Sequence, residues 1–153
     1  MKKKQLILNL EWRTSESRDR VPATMIANYL RYLGYEVVEG SIFYGRNLLK
    51  ILKPDLLYIT NGIGAPENYA IVKYAKYLGI KVLTLVSEGN FLKTGVKGMT
   101  WGWNSEKILN EDIHLQWSKR SRDMMVSEYP EVRNMTYISG GCGFDQYQLQ
   151  FDI

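Results

Sequence analysis

The chemistry in this chain is concentrated at the ends of its apolar runs. Glu88 follows the run Lys81-Val-Leu-Thr-Leu-Val86 in the tetrapeptide Ser87-Glu88-Gly89-Asn90. A carboxylate at a strand end over a crevice can act as general base toward a hydroxyl, and it can equally cap a loop or pair with a lysine. Arg18-Asp19 lies in a charged stretch after the first apolar run, together with Arg13. A guanidinium there can clamp a phosphate or carboxylate bidentately, or belong to an exposed ion-pair loop. Asn61-Gly62-Ile63-Gly64 precedes Pro66-Glu67. Glycines before a helix N-terminus can offer backbone N–H groups to an anion, or they can serve a tight βα turn. Trp101 and Trp103 stand in a polar, Gly-rich stretch, where their rings suit stacking on a sugar face or burial against a further domain. Gly140-Gly141-Cys142-Gly143 follows the last apolar run.

Several classes of chemistry are excluded or disfavoured. Gly62-Ile63-Gly64 would need a third glycine at position 67 to complete a dinucleotide fingerprint, and Glu67 stands there. No G-x-x-x-x-G-K-[ST] phosphate loop occurs. Cys142 and His114 are the only cysteine and the only histidine, which rules out an intramolecular disulfide framework and a multi-cysteine zinc site. No G-x-S-x-G precedes His114, so a serine-hydrolase triad is disfavoured, and His114 inside a predicted strand reads as structural. Cys142 has no histidine placed by sequence to activate it. No metal site is expected.

The elements that must position these residues follow from the pattern. Gln5–Leu10, Glu36–Val38, Leu56–Thr60, Lys81–Val86, Asp112–Trp117 and Met135–Ser139 read as short buried strands. Between them, Pro22 opens a helix to about Leu33 with an apolar face of Met25, Ile26, Tyr29, Leu30 and Leu33, stopped by Gly34. Asn47–Leu52 is a short helix. Pro66-Glu67 opens another, with Ala70, Ile71, Tyr74, Ala75 and Leu78 on its apolar face and Gly79 at its end. Ser118 caps a helix through Glu128. Glu11 to Arg20 and Ser87 to Asn104 are expected as loops. This alternation is βαβ organisation: an α/β, doubly wound, mostly parallel sheet of about six strands. Ligands bind such sheets outside the carboxyl ends of the strands, where the loops after strands one, three, four and six emerge.

The 153 residues are 45% hydrophobic and 24% charged, which fits one domain with a real core. No apolar run approaches the roughly 18 residues of a membrane span, and the lysines at 2–4 lack the apolar stretch of a signal peptide; a cytoplasmic protein is expected. The net charge of +4 suits an anionic small ligand or peripheral contact with an anionic membrane at the inner face. The basic residues are spread, not gathered in a stripe, so no nucleic acid is expected.

Three stretches carry a family resemblance. They are Arg18-Asp19 with the helix to Gly34 and Tyr35-Glu-Val-Val-Glu-Gly40; Gly79 to Gly89, ending in Glu88-Gly89; and Asp112 through Tyr137-Ile-Ser-Gly-Gly-Cys-Gly-Phe-Asp145. They resemble the N-terminal Rossmann-like half of GT-B-fold bacterial glycosyltransferases that build surface carbohydrates, in the capsule and surface-polysaccharide group related to Kdo transferases and polyglycerolphosphate transferases. Gly140, Phe144 and Asp145 match a family segment that commonly reads T-G-N-P-R-F-D; Gly141, Cys142 and Gly143 depart from it.

The resemblance implies an acceptor-side domain over residues 1–145, with 146–153 a tail or the start of a link to a second domain. It implies a glycan or lipid-linked glycan acceptor, no cofactor held by this chain, and a nucleotide-activated sugar bound by the second domain or a partner subunit. Catalysis by this chain alone is not expected. In that reading Glu88 is the base. Arg13, Arg18 and Asn61 bind the acceptor, with Asp19, Gly62, Gly64, Ser87, Gly89, Asn90, Gly140 and Gly141 beside them, and Trp101 and Trp103 shape the acceptor or interdomain surface. Magnesium is not implied, since no Asp-x-Asp occurs. Two other readings are a stand-alone, non-catalytic Rossmann-like module that binds a nucleotide or partner protein, and a homodimer formed through the tryptophan loop.

Overall fold

The computed structural model describes residues 4–12, 19–87, 92–101 and 108–141, with the backbone alone at 99–101. Six strands form one parallel sheet: β1 (Leu6–Glu11), β2 (Glu36–Ser41), β3 (Leu56–Thr60), β4 (Lys81–Leu85), β5 (Ile113–Gln116) and β6 (Thr136–Ile138). Their spatial order is β2-β1-β3-β4-β5-β6. The helices are α1 (Arg20–Tyr32), α2 (Gly45–Leu52), α3 (Pro66–Tyr77), α4 (Val96–Trp101) and α5 (Lys119–Glu128), with 3-10 turns at Ile42–Tyr44, Lys93–Gly95 and Pro130–Val132. The α/β class and the doubly wound parallel sheet are as the sequence leads one to expect.

The order fixes the layers. The chain steps one way from β1 to β2, then crosses back over β1 to β3 and continues outward. Right-handed crossovers therefore put α1 on one face and the later helices on the other. Strand side chains alternate accordingly. Leu8, Leu10, Leu57, Ile59 and Val82 pack with Leu49 of α2 and Ile71, Val72 and Ala75 of α3. Ile7, Val37, Tyr58 and Leu85 pack with Ala27, Ile26 and Leu30 of α1. Met125 and Val126 of α5 close a third cluster with Val132. Leu8, Leu10, Leu57 and Ile59 are fully buried, so truncating any one to alanine costs about 2–5 kcal/mol.

Helix ends follow their chemistry. Gly34 and Gly79 terminate α1 and α3 with φ of 94° and 75°, conformations that favour glycine. Pro66 and Glu67 occupy the first turn of α3. Ser118 Oγ accepts from the Ser121 N–H at 3.1 Å, and Ser121 Oγ accepts from the Ser118 N–H at 3.2 Å, a capping box.

Four sequence expectations are corrected. The buried face of α1 is Ala23 and Ala27, flanked by Ile26 and Leu30, while Met25, Tyr29 and Leu33 are exposed. Two alanines bring the helix axis close to the sheet, and the larger Met25, Tyr29 and Leu33 turn outward. On α3, Asn68 and Val72 are buried and Leu78 is exposed beyond the helix end. The stretch expected as a loop from Ser87 to Asn104 contains a 3-10 turn and α4, anchored by buried Val96. Glu11, expected to open a loop, is the last residue of β1 and is 2% exposed.

Candidate functional site

The strand order reverses between β1 and β3, and in open α/β sheets the ligand crevice lies at the carboxyl edge of such a reversal. Asn9 and Glu11 of β1 and Thr60 of β3 point from that edge to the α1 face. The pairing Leu10↔Ile59, continued by one residue, sets Glu11 beside Thr60; on its other side Glu11 pairs with Ser41. All three side chains are buried. Asn9 Nδ2 donates to the Ala23 carbonyl at 2.7 Å, tying β1 to the first turns of α1. Asn68 Nδ2 donates to the Thr60 carbonyl at 2.9 Å from the opposite face. Asn9 Oδ1 and Thr60 Oγ1 have no hydrogen-bond partner among the described residues. Unmet buried polar atoms are uncommon, and these two lie toward the carboxyl ends of β1 and β3.

Two of the expected site residues meet here. The Ser87 hydroxyl, just past β4, donates to Asp19 Oδ2 at 2.8 Å. Asp19 is the N-cap of α1, so this bond links the loop after β1 to the segment after β4. Asn61 sits between them. It follows β3 with a left-handed φ of 54°, and its N–H donates to the Leu85 carbonyl at 2.6 Å. Asp19, Asn61 and Ser87 thus bring three loops to the crevice.

Gly62 and Gly64 serve the turn. The Gly64 N–H donates to the Asn61 carbonyl at 2.9 Å, and a side chain at position 64 would collide with the Asn61 amide. A Cβ on Gly62 would lie 2.6 Å from Thr84 Cγ2, so this glycine lets the turn pack against β4. Gly62 is buried, and the Gly64 N–H is engaged inside the turn. Gly140 and Gly141 stand apart from these residues. They follow β6, at the sheet's far edge, three strand spacings or roughly 14 Å from β3. Trp101 ends α4. Arg13, Arg18, Glu88, Gly89, Asn90 and Trp103 lie outside the described residues, as does the side chain of Trp101.

Asn9, Glu11 and Thr60 were missed in the sequence. Their signal was the alternation Leu8-Asn9-Leu10-Glu11, which sends polar groups to one face of a strand otherwise buried on both.

A second polar cluster is structural. On the face opposite α1, His114 Nδ1 lies 2.8 Å from Glu111 Oε1 and 3.0 Å from Thr84 Oγ1, and Gln116 Nε2 lies 3.0 Å from His114 Nε2. Burial pushes the Glu111 carboxyl up, but the hydrogen bond and charge of His114, with its own backbone N–H and the Thr84 hydroxyl, hold it below the ordinary value. At the amino edge, burial likewise opposes ionisation of Asp112, and the Val82 N–H with Lys81 and Lys76 hold its carboxyl low. Among the described residues no three His, Cys, Asp or Glu side chains converge as metal ligands, and no helix is long and apolar enough to cross a membrane.

The parallel sheet, its order and its flanking helices define a Rossmann-like α/β domain. Its fold is similar to that of Staphylococcus aureus MnaA, solved in a co-structure with UDP, with a TM-score of 0.66 at 12% sequence identity over 94% of this chain and 46% of that one. The chain thus spans less than half the length of that protein. No protein-family model and no curated protein matches it.

Proposed function

We propose that this chain is the acceptor-binding half of a two-domain GT-B glycosyltransferase in bacterial surface-carbohydrate synthesis. The observation that carries the proposal is the polar crevice at the strand-order reversal, bridged by Ser87 and Asp19. Among the described residues, Asn9 Oδ1 and Thr60 Oγ1 have no hydrogen-bond partner there, and an amide oxygen and a hydroxyl suit neutral sugar hydroxyls. The Gly64 N–H, which could have served a phosphate, is engaged in the turn. The fold shared with less than half of a protein solved with UDP supports a domain that handles nucleotide-sugar chemistry together with a second one.

The chemistry then runs across the crevice. The acceptor, a glycan or lipid-linked glycan, is held by Asn61, Thr60 and Asn9. Glu88, next in the chain after Ser87, takes the proton from the acceptor hydroxyl as its oxygen bonds to the anomeric carbon of the donor. The bond from that carbon to the nucleotide diphosphate breaks, and the diphosphate leaves with the electron pair. No cofactor of this chain enters the step. The basic surface supports contact with an anionic membrane where a lipid-linked acceptor is presented.

A thermal-shift panel tests this, with short surface glycans in one arm and UDP, CDP, CMP and GDP in the other. A ligand at 100 times its dissociation constant adds about 2.7 kcal/mol. Stabilisation by glycans, reduced by Ser87→Ala, is expected. Stabilisation by nucleotides alone overturns the acceptor assignment in favour of a nucleotide-binding module.

A further inference from the structure

A second hollow opens on the other face of the sheet, between the Ile42–Tyr44 turn, the start of α2 and the start of α3. It measures about 400 Å³, within the range of small-molecule sites, roughly 300–1,000 Å³. Ile42 and Ile71 floor it, and Phe43, Arg46, Asn47 and Glu67 stand around it.

The wall chemistry is specific. Phe43 is 63% exposed, and its ring is held edge-on against Trp12 with centroids 5.3 Å apart at 80°. Arg46 is held over the Tyr74 ring at 5.6 Å. Arg46, Asn47 and Glu67 make no side-chain hydrogen bond among the described residues. The hollow therefore offers donors, acceptors and an aromatic wall over an apolar floor. Arg46 alone would invite an anion, but the Glu67 carboxylate beside it opposes a phosphate or uronate. A ligand with many neutral hydroxyls and one apolar face satisfies every wall at once.

We propose that this hollow is a binding site for a neutral hexopyranose, separate from the crevice at the strand-order reversal. It shares with the proposed function only the premise that the domain handles sugars.

Amide chemical shifts of the full chain, titrated with glucose, galactose, N-acetylglucosamine and glucose 6-phosphate, test it. A ligand this small binds in the millimolar range. At least one neutral hexose is expected to give saturable shifts centred on Phe43 to Asn47 and Glu67 to Ile71. Phe43→Ala and Glu67→Gln each weaken that binding about tenfold. Glucose 6-phosphate binds more weakly than glucose, and Glu67→Gln narrows the gap. Glu67 is exposed in the first turn of α3, so its variant separates lost binding from lost folding. No saturating shift by about 50 mM, tighter binding of the phosphate, or shifts confined to Asn61 and Ser87 overturns the proposal. Shifts confined to the crevice leave the acceptor assignment standing while this site falls. Shifts confined to the hollow support this site whatever the glycan panel returns.

Discussion

The Ser87 hydroxyl reaches Asp19 Oδ2 at 2.8 Å across 68 residues of sequence. The bond joins the N-cap of α1 to the segment that leaves β4. Hydrogen bonds to an ionised carboxylate contribute about 1.5–3 kcal/mol net. Asp19 has further contacts, so neither single substitution isolates this one. A double-mutant cycle of Ser87→Ala and Asp19→Ala, read by denaturant melts, is expected to return a coupling of about 1–2 kcal/mol. A coupling near zero would mean that the bond does not hold these two segments together.

Gly62 is predicted to be intolerant of a side chain for a purely steric reason. Its Cβ would meet Thr84 Cγ2 at 2.6 Å and Val72 Cγ2 at 3.3 Å. Gly62→Ala should cost about 1–3 kcal/mol by overpacking. Thr84→Ser removes the offending methyl and keeps the hydroxyl bonded to Glu111, so the double variant should recover part of the loss. If it recovers nothing, the glycine is required by backbone conformation instead.

Much of the fold was legible because strands buried on both faces read as apolar runs bounded by proline and glycine. Leu56–Thr60 was placed to the residue on that basis. The phase of α1 was not, because Ala23 and Ala27 weigh little in an apolar pattern that Met25 and Tyr29 dominate. Glu11 read as loop because burial of a carboxylate depends on what the sheet brings beside it, and β1 has neighbours from two distant segments. Asp19 and Ser87 were each legible as loop residues near strand ends. Their contact was not, since it depends on strand order.

Glu111 makes stability acid-sensitive. Its native carboxyl titrates below its ordinary value of 4.5, so as pH falls the unfolded chain takes up the proton first. The stability supplied by the Glu111–His114 contact is full above about pH 4.5 and is lost as pH drops through the lower native value. Asp112 acts in the same sense from its ordinary value of 3.8. Glu111→Gln should lower stability at neutral pH by about 1–3 kcal/mol and flatten the acid limb, leaving the slope due to Asp112, which Asp112→Asn removes. An unchanged acid limb in Glu111→Gln would show that the pair is not the source.

Thr60 offers the sharpest separation of structure from function. Its side chain is buried with Oγ1 unmet among the described residues, while its carbonyl is held by Asn68. Thr60→Val keeps the β-branched shape and the backbone bond and removes the hydroxyl. If that hydroxyl exists for a ligand, the apo protein should be as stable or more stable, by up to about 1–2 kcal/mol. Stabilisation by glycan should fall, corresponding to about tenfold weaker binding. The two readouts move in opposite directions only when the unmet group is part of the site. Loss of stability with unchanged glycan response would instead assign Thr60 to the core, and would remove it from the crevice.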